Sequence, residues 1–183
     1  MADLDAMSFI LMGVRDNLRS KNNWKDKQCR ISFGTTPISL GVPWFVGIED
    51  LSESNEADEE DMFDRYEYGV QIGVWRNAAM YPNDREGVLL QDADTYLKDR
   101  KMLHDLTTCV VDVVKSTDTV QCINDLLSLN SRPNCYSPIL SQLRYMGHSK
   151  TEIVTSIPSI EVTEGRWARR ILQFRGAKQI ITR

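Results

Sequence analysis

The 183-residue chain lacks most of what an enzyme or an exported domain needs. Its four cysteines, Cys29, Cys109, Cys122 and Cys135, are scattered and form no C-x-x-C pair, so reduced thiols are expected rather than a disulfide scaffold. The two histidines, His104 and His148, have no partners at ligand spacing, and no metal site is expected. The ten glycines never take the spacing of a dinucleotide fingerprint or a Walker loop, so no nucleotide cofactor is expected either. A G-x-S-x-G elbow, an H-E-x-x-H helix and an EF-hand loop are all missing, which removes the familiar hydrolytic classes. No apolar run approaches the roughly 20 residues that span a bilayer. The first residues also lack the basic segment and apolar block of a secretory signal, and a soluble, unexported, intracellular protein with no membrane contact is expected.

Excess positive charge is missing too. The formal net charge of -4 argues against a general nucleic-acid binder, which carries a basic face. The charge is unevenly spread, however. Glu49, Asp50, Glu53, Glu56, Asp58, Glu59, Glu60, Asp61 and Asp64 run together without a basic residue, while Arg144, Lys150, Arg166, Arg169, Arg170, Arg175, Lys178 and Arg183 tilt the last part of the chain positive.

What is present is a hydrophobic content of 42%, enough for one domain with a real core. Residues 3–20 read as an amphipathic helix, with Leu4, Met7, Leu11, Val14 and Leu18 at three- and four-residue steps. Short extended segments follow at 29–33 and 42–48, with Pro43 marking an edge or the start of a strand. The clearest strand is 65–76, where Tyr66, Tyr68, Val70, Ile72 and Val74 alternate with Glu67, Gly69, Gln71 and Gly73. The acidic stretch 49–64 between these strands repels itself and is too polar to bury, so a long, mobile hairpin arm or loop is expected. A long helix over 92–115 and a shorter one over 119–129 come next, although the β-branched residues after Thr107 disfavour the end of the first. The pattern turns extended again from Tyr136, with strands expected at 152–156, 160–163 and 166–175 and a turn at Glu164 and Gly165. This order predicts a single α+β domain over 1–183, with a mixed or antiparallel sheet and helices packed on one face.

Candidate chemistry is thin. His104, within the long helix and beside Asp105, could serve as a general base, but it reads better as a boundary histidine satisfied by solvent. Cys109 reads as a small core residue rather than a nucleophile. Calcium ligation by the acidic run is disfavoured because no turn-forming glycine lies within 49–64. Trp24, Trp44, Trp75 and Trp167 could stack on single-stranded bases, yet most lack interleaved basic residues and read as core or interface packing.

The order of elements resembles that of the tail terminator proteins of tailed bacteriophages, also called tail completion or neck proteins. The features that carry the resemblance are the N-terminal helix, the turn and strand GVPWFVGIED at 41–50, the long arm, the strand YEYGVQIGVW at 66–75, the long helix, and a closing hairpin that ends in WARRILQF at 167–174. The segment 119–150 is longer than a minimal member needs. The resemblance implies a structural subunit that closes into a ring, usually a hexamer, at the head-proximal end of the tail tube. There it stops tube growth and joins the tail to the capsid connector. The implied partners are further copies of the chain, the tail tube protein and the neck connector, with DNA passing through without specific binding. The implied location is the virion, after assembly in the host cytoplasm.

Physical reasoning adds surfaces to this picture. A ring needs a head-to-tail contact that closes, and exposed strand edges invite one. An acidic lining repels phosphate within roughly 8 Å at physiological salt, so the acidic run is a candidate lumen or interface arm, with a solvated outer loop as its alternative. Arg166, Arg169, Arg170 and Arg175 form a candidate basic inter-subunit surface that supplies steering and register. Two other readings stay open: a head-completion or stopper protein of the same neck, and a small enzyme whose site draws on His104, Cys109 or the acidic residues.

Overall fold

The computed structural model describes residues 6–20, 29–34, 37, 42, 44–57, 63–77, 93–130, 140–154 and 167–181. Helix α1 (Ala6–Ser20) precedes strands β1 (Cys29–Phe33), β2 (Trp44–Ala57) and β3 (Phe63–Asn77). Helices α2 (Ala93–Val114) and α3 (Thr117–Asn130) follow, and then strands β4 (Leu140–His148), β5 (Glu152–Val154) and β6 (Trp167–Ile181). The class is α+β, as the sequence predicts.

The sheet order is β1-β2-β3-β6-β4, and β5 also pairs with β6. It is mixed, because β1 runs parallel to β2 while every other pair is antiparallel. The 15-residue β6 is the spine. One of its edges pairs with β3 from Trp167 to Ile181, and the other takes β5 at its start and β4 further on. Between β4 and β5, Ser149 fills the gap: its N–H donates to Ile171 O at 2.9 Å, and its hydroxyl accepts from Ile171 N at 3.1 Å.

All three helices lie on one face. Met7, Ile10, Val14 and Leu18 of α1, Leu103, Leu106, Val110 and Val114 of α2, and Ile123 and Leu127 of α3 share one buried cluster with Val46, Ile48, Val70, Ile72, Val74, Leu172 and Phe174 of the sheet. Each such side chain contributes about 1.5–3 kcal/mol when fully buried. This packing holds α2 helical through its β-branched end, because Val110 and Val114 both face the sheet core. Ser116 caps the next helix, its hydroxyl accepting from Thr119 N at 3.3 Å.

Two differences from the sequence reading stand out. Strand β2 runs on past the expected end at residue 48 to Ala57, so residues 49–57 of the acidic run, expected in a hairpin arm or loop, are strand paired with β3, with Ala57 opposite Asp64. Strand β4 lies in the segment that reads as extended from Tyr136, but the sequence does not delimit it as a strand, because its burial alternation is broken by irregularities between Leu140 and Leu143 and between Tyr145 and Gly147. Residues 58–62, 78–92 and the expected strand and turn at 160–165 lie outside the described residues.

Candidate assembly surfaces

The face turned away from the helices is built by β2, β3, β6 and β5. At one end Phe45, Trp75 and Trp167 form a second buried cluster with Val154 packed against it, and the two indoles meet edge-on with centroids 6.2 Å apart. Arg169 lies over the Trp75 ring at 5.3 Å, and its Nε donates to Glu152 Oε2 at 2.7 Å. Toward the middle, Gly47, Gly73 and Ile171 stand in one register row, and the chain leaving β1 passes closely over Gly47 at Gly34, whose N–H donates to Ile48 O at 2.8 Å. Beyond that row, Gln71 Nε2 donates to Glu49 Oε1 at 2.9 Å, and Arg175 Nη1 stands 4.0 Å from Glu67 Oε2.

Past Phe33, which is level with Ile48, β1 ends and β2 continues as the sheet border. A register shift between Asp50 and Ser52 marks a bulge at the partly exposed Leu51. From there β2, β3, β6 and β4 run on side by side as far as the row of Asn55, Tyr66, Lys178 and Leu140. Of the acidic candidates, Glu49 is half-buried and hydrogen-bonded, Asp50 is exposed, Glu53 and Glu56 sit in β2, and Asp64 sits in β3. Asp58, Glu59, Glu60 and Asp61 fall outside the described residues.

The basic candidates do not share one surface. Arg166 is outside the described residues. Arg169 is already paired within the chain, and Arg175 is exposed on the same helix-free face. Arg170 corrects the sequence reading: it is buried at 5% exposure, on the opposite face, where its Nε donates to Thr151 Oγ1 at 2.9 Å. Strand alternation alone requires Arg169 and Arg170 to point to opposite faces. Arg76, also buried on the helix side, has its guanidinium 5.9 Å from the Trp44 ring centroid. Neither buried arginine is marked by the sequence, because charge is ordinarily a surface signal.

Cys109 also differs from expectation. It is exposed, since the inward stripe of α2 runs through Leu106, Thr107, Val110 and Val114. His104 is exposed, as expected for a boundary histidine. On β4 the Tyr145 hydroxyl is hydrogen-bonded to His148 Nδ1, and the two rings stack with a 15° interplanar angle. Burial pushes the Tyr145 phenol up, whereas burial, the Arg170 charge and His104 together hold His148 below its ordinary value. Among the described residues no three His, Cys, Asp or Glu side chains gather at metal-binding distance, and no helix is long and apolar enough to cross a membrane.

No family model matches the chain, and no curated protein matches it. Several solved structures do match, and one of them aligns with it at 13% identity and a TM-score of 0.50, covering 91% of this chain and 92% of the other. It is a chain of the virion of a native gene transfer agent particle. The two share a fold.

Proposed function

We propose that this chain is a structural virion protein that forms a ring at the head-proximal end of a phage tail tube. The ring ends tube polymerisation and joins the tail to the connector of the neck. The observation that carries the reading is the end-to-end fold likeness to a component of a virion particle. The element order noted in the sequence supports the terminator role in particular.

In this reading the chain works by contact rather than by chemistry. The partners are further copies of itself in a hexamer, the tail tube protein below and the connector above. DNA passes through the ring without specific binding. The acidic run from Glu49 to Asp64 lines that passage or borders a neighbour, and the exposed Arg175 belongs to the surface between subunits.

Mass measurement of the purified protein, with electron microscopy after mixing with tail tubes, tests the proposal. Rings seated on tube ends, with tube length fixed on addition, are expected. A protein that stays monomeric with tubes present and leaves them growing sinks it. Labelling of intact particles separates a terminator at the tube end from a stopper at the connector.

A further inference from the structure

The register of the sheet places two unlike borders at the same height. Gly147 of β4 is level with Gln173, Gln71 and Glu49, and Leu143 is level with Gly176, Tyr68 and Glu53. At the start of β4, Leu140 is level with Lys178, Tyr66 and Asn55. Strand β4 and the 49–55 stretch of β2 therefore border the same rows from opposite sides. Among the described strands neither has a neighbour on its outer side.

The two borders are also opposite in charge. Residues 49–57 carry Glu49, Asp50, Glu53 and Glu56 with no basic residue, while β4 carries Arg144 with no acidic one, and Lys150 follows it. Running across the sheet, each step from β2 to β3, β6 and β4 reverses direction, so β4 is antiparallel to β2.

We infer that β4 of one copy adds to the 49–55 border of β2 in the next copy, extending the sheet from subunit to subunit. The occupant of the acidic border is a second copy of this chain. Three features point to it. A contact between two different borders is head-to-tail, and because the two borders share register rows, β4 can pair with β2 of the next copy without a slip along the strands. The pairing direction is antiparallel, the more stable geometry per residue. Like borders repel: two acidic borders over 49–55 juxtapose three carboxylates each, so pairing of β2 with β2 is opposed while pairing with β4 is favoured. At the start of β4, Asn124 holds both polar groups of the Leu140 backbone, its Nδ2 donating to Leu140 O at 3.0 Å and its Oδ1 accepting from Leu140 N at 2.8 Å. Pairing therefore begins beyond Leu140. The irregularities in β4 and the bulge at Leu51 limit the length that can pair, which disfavours indiscriminate edge-to-edge growth.

This inference rests on the ring reading, and the experiment separates the two. Arg144→Cys is combined in turn with Cys at positions 50, 51, 52, 53 and 54, each double variant is allowed to assemble on tail tubes, and disulfides are formed with a mild oxidant. Directly opposed positions in an antiparallel pair have Cα atoms about 4.5–5.5 Å apart, within disulfide reach. A ladder of covalent oligomers up to the ring, strongest at one position near Ser52 and absent from each single variant, is expected. In parallel, Arg144→Glu should weaken assembly at least tenfold, and combining it with Ser52→Arg, the position directly opposed to residue 144 in this register, should recover most of the loss. Rings that form normally but cross-link at none of the five positions overturn the interface and leave the ring reading standing. A wild-type chain that forms no ring on tubes overturns both.

Discussion

At the residue scale, two glycines are required for different reasons. An alanine Cβ at Gly47 would lie 1.9 Å from Gly34 O, a backbone atom that cannot swing away. Gly47→Ala should cost roughly 3 kcal/mol or prevent folding, seen as a lower denaturant midpoint. Gly34 has open space around it but a φ of +83°, so Gly34→Ala should cost only about 1–2 kcal/mol. Equal losses at the two positions would contradict this account. His148 makes a separate prediction. Folding holds its pKa below the ordinary 6.5, so the unfolded chain binds the extra proton first as pH falls. Its contribution to stability is therefore fully present above the ordinary value and is lost as the pH drops from there through the lower folded one. Chemical denaturation at several pH values should show that decline in the wild type and a flatter profile in His148→Gln. The effect should be small, since His148 is largely exposed.

At the element scale, α1 and α3 cross closely because Gly13 lets Ile123 approach, and a Cβ at position 13 would meet Ile123 Cγ1 at 2.5 Å and its Cα at 3.0 Å. Beside that crossing, Asn17 Nδ2 donates to Thr119 Oγ1, which in turn donates to Val113 O at 2.7 Å, so one hydroxyl joins all three helices. Gly13→Ala should cost about 1–3 kcal/mol by overpacking. Thr119→Val should cost a similar amount, about 1–3 kcal/mol, by leaving the buried Asn17 amide unsatisfied. Thermal melts of the two variants check both, and wild-type stability in either would contradict its account. Elements whose own residues carry a period were legible in the sequence: α1 from its stripe, β3 from its alternation, and β2 from Trp44 after Pro43. Strand β4 was not, because its burial pattern breaks the two-residue alternation at its irregularities. The extension of β2 to Ala57 was also hidden, since an acidic run has no strand propensity of its own and is held by the ladder with β3, a long-range partner. Arg169 and Arg170 show the same limit for the candidate surface: composition groups them, and the pleat divides them.

At the scale of the whole molecule, charge is sorted across the sheet. Its β2 border carries Glu49, Asp50, Glu53 and Glu56, and its β6 strand carries Arg175 and Lys178. Such sorting orients copies head-to-tail, and its effect is screened by salt beyond roughly 8 Å at physiological ionic strength. If the acidic run lines the ring's passage, it also keeps duplex DNA from adhering, because a wall without cations releases no counterions from phosphate. Replacing Asp58, Glu59, Glu60 and Asp61 with Asn or Gln leaves residues 49–57 and the β2 border intact, so ring formation should survive. Assembled rings of this variant should retain DNA that wild-type rings pass freely, in proportion to the charge removed. Filter binding of labelled duplex to assembled rings at low and high salt reads this out. Retention that appears only in the variant and disappears at high salt places the acidic run on the DNA path. Equal passage by both rings at every salt concentration would instead leave these carboxylates on an outer, solvated loop.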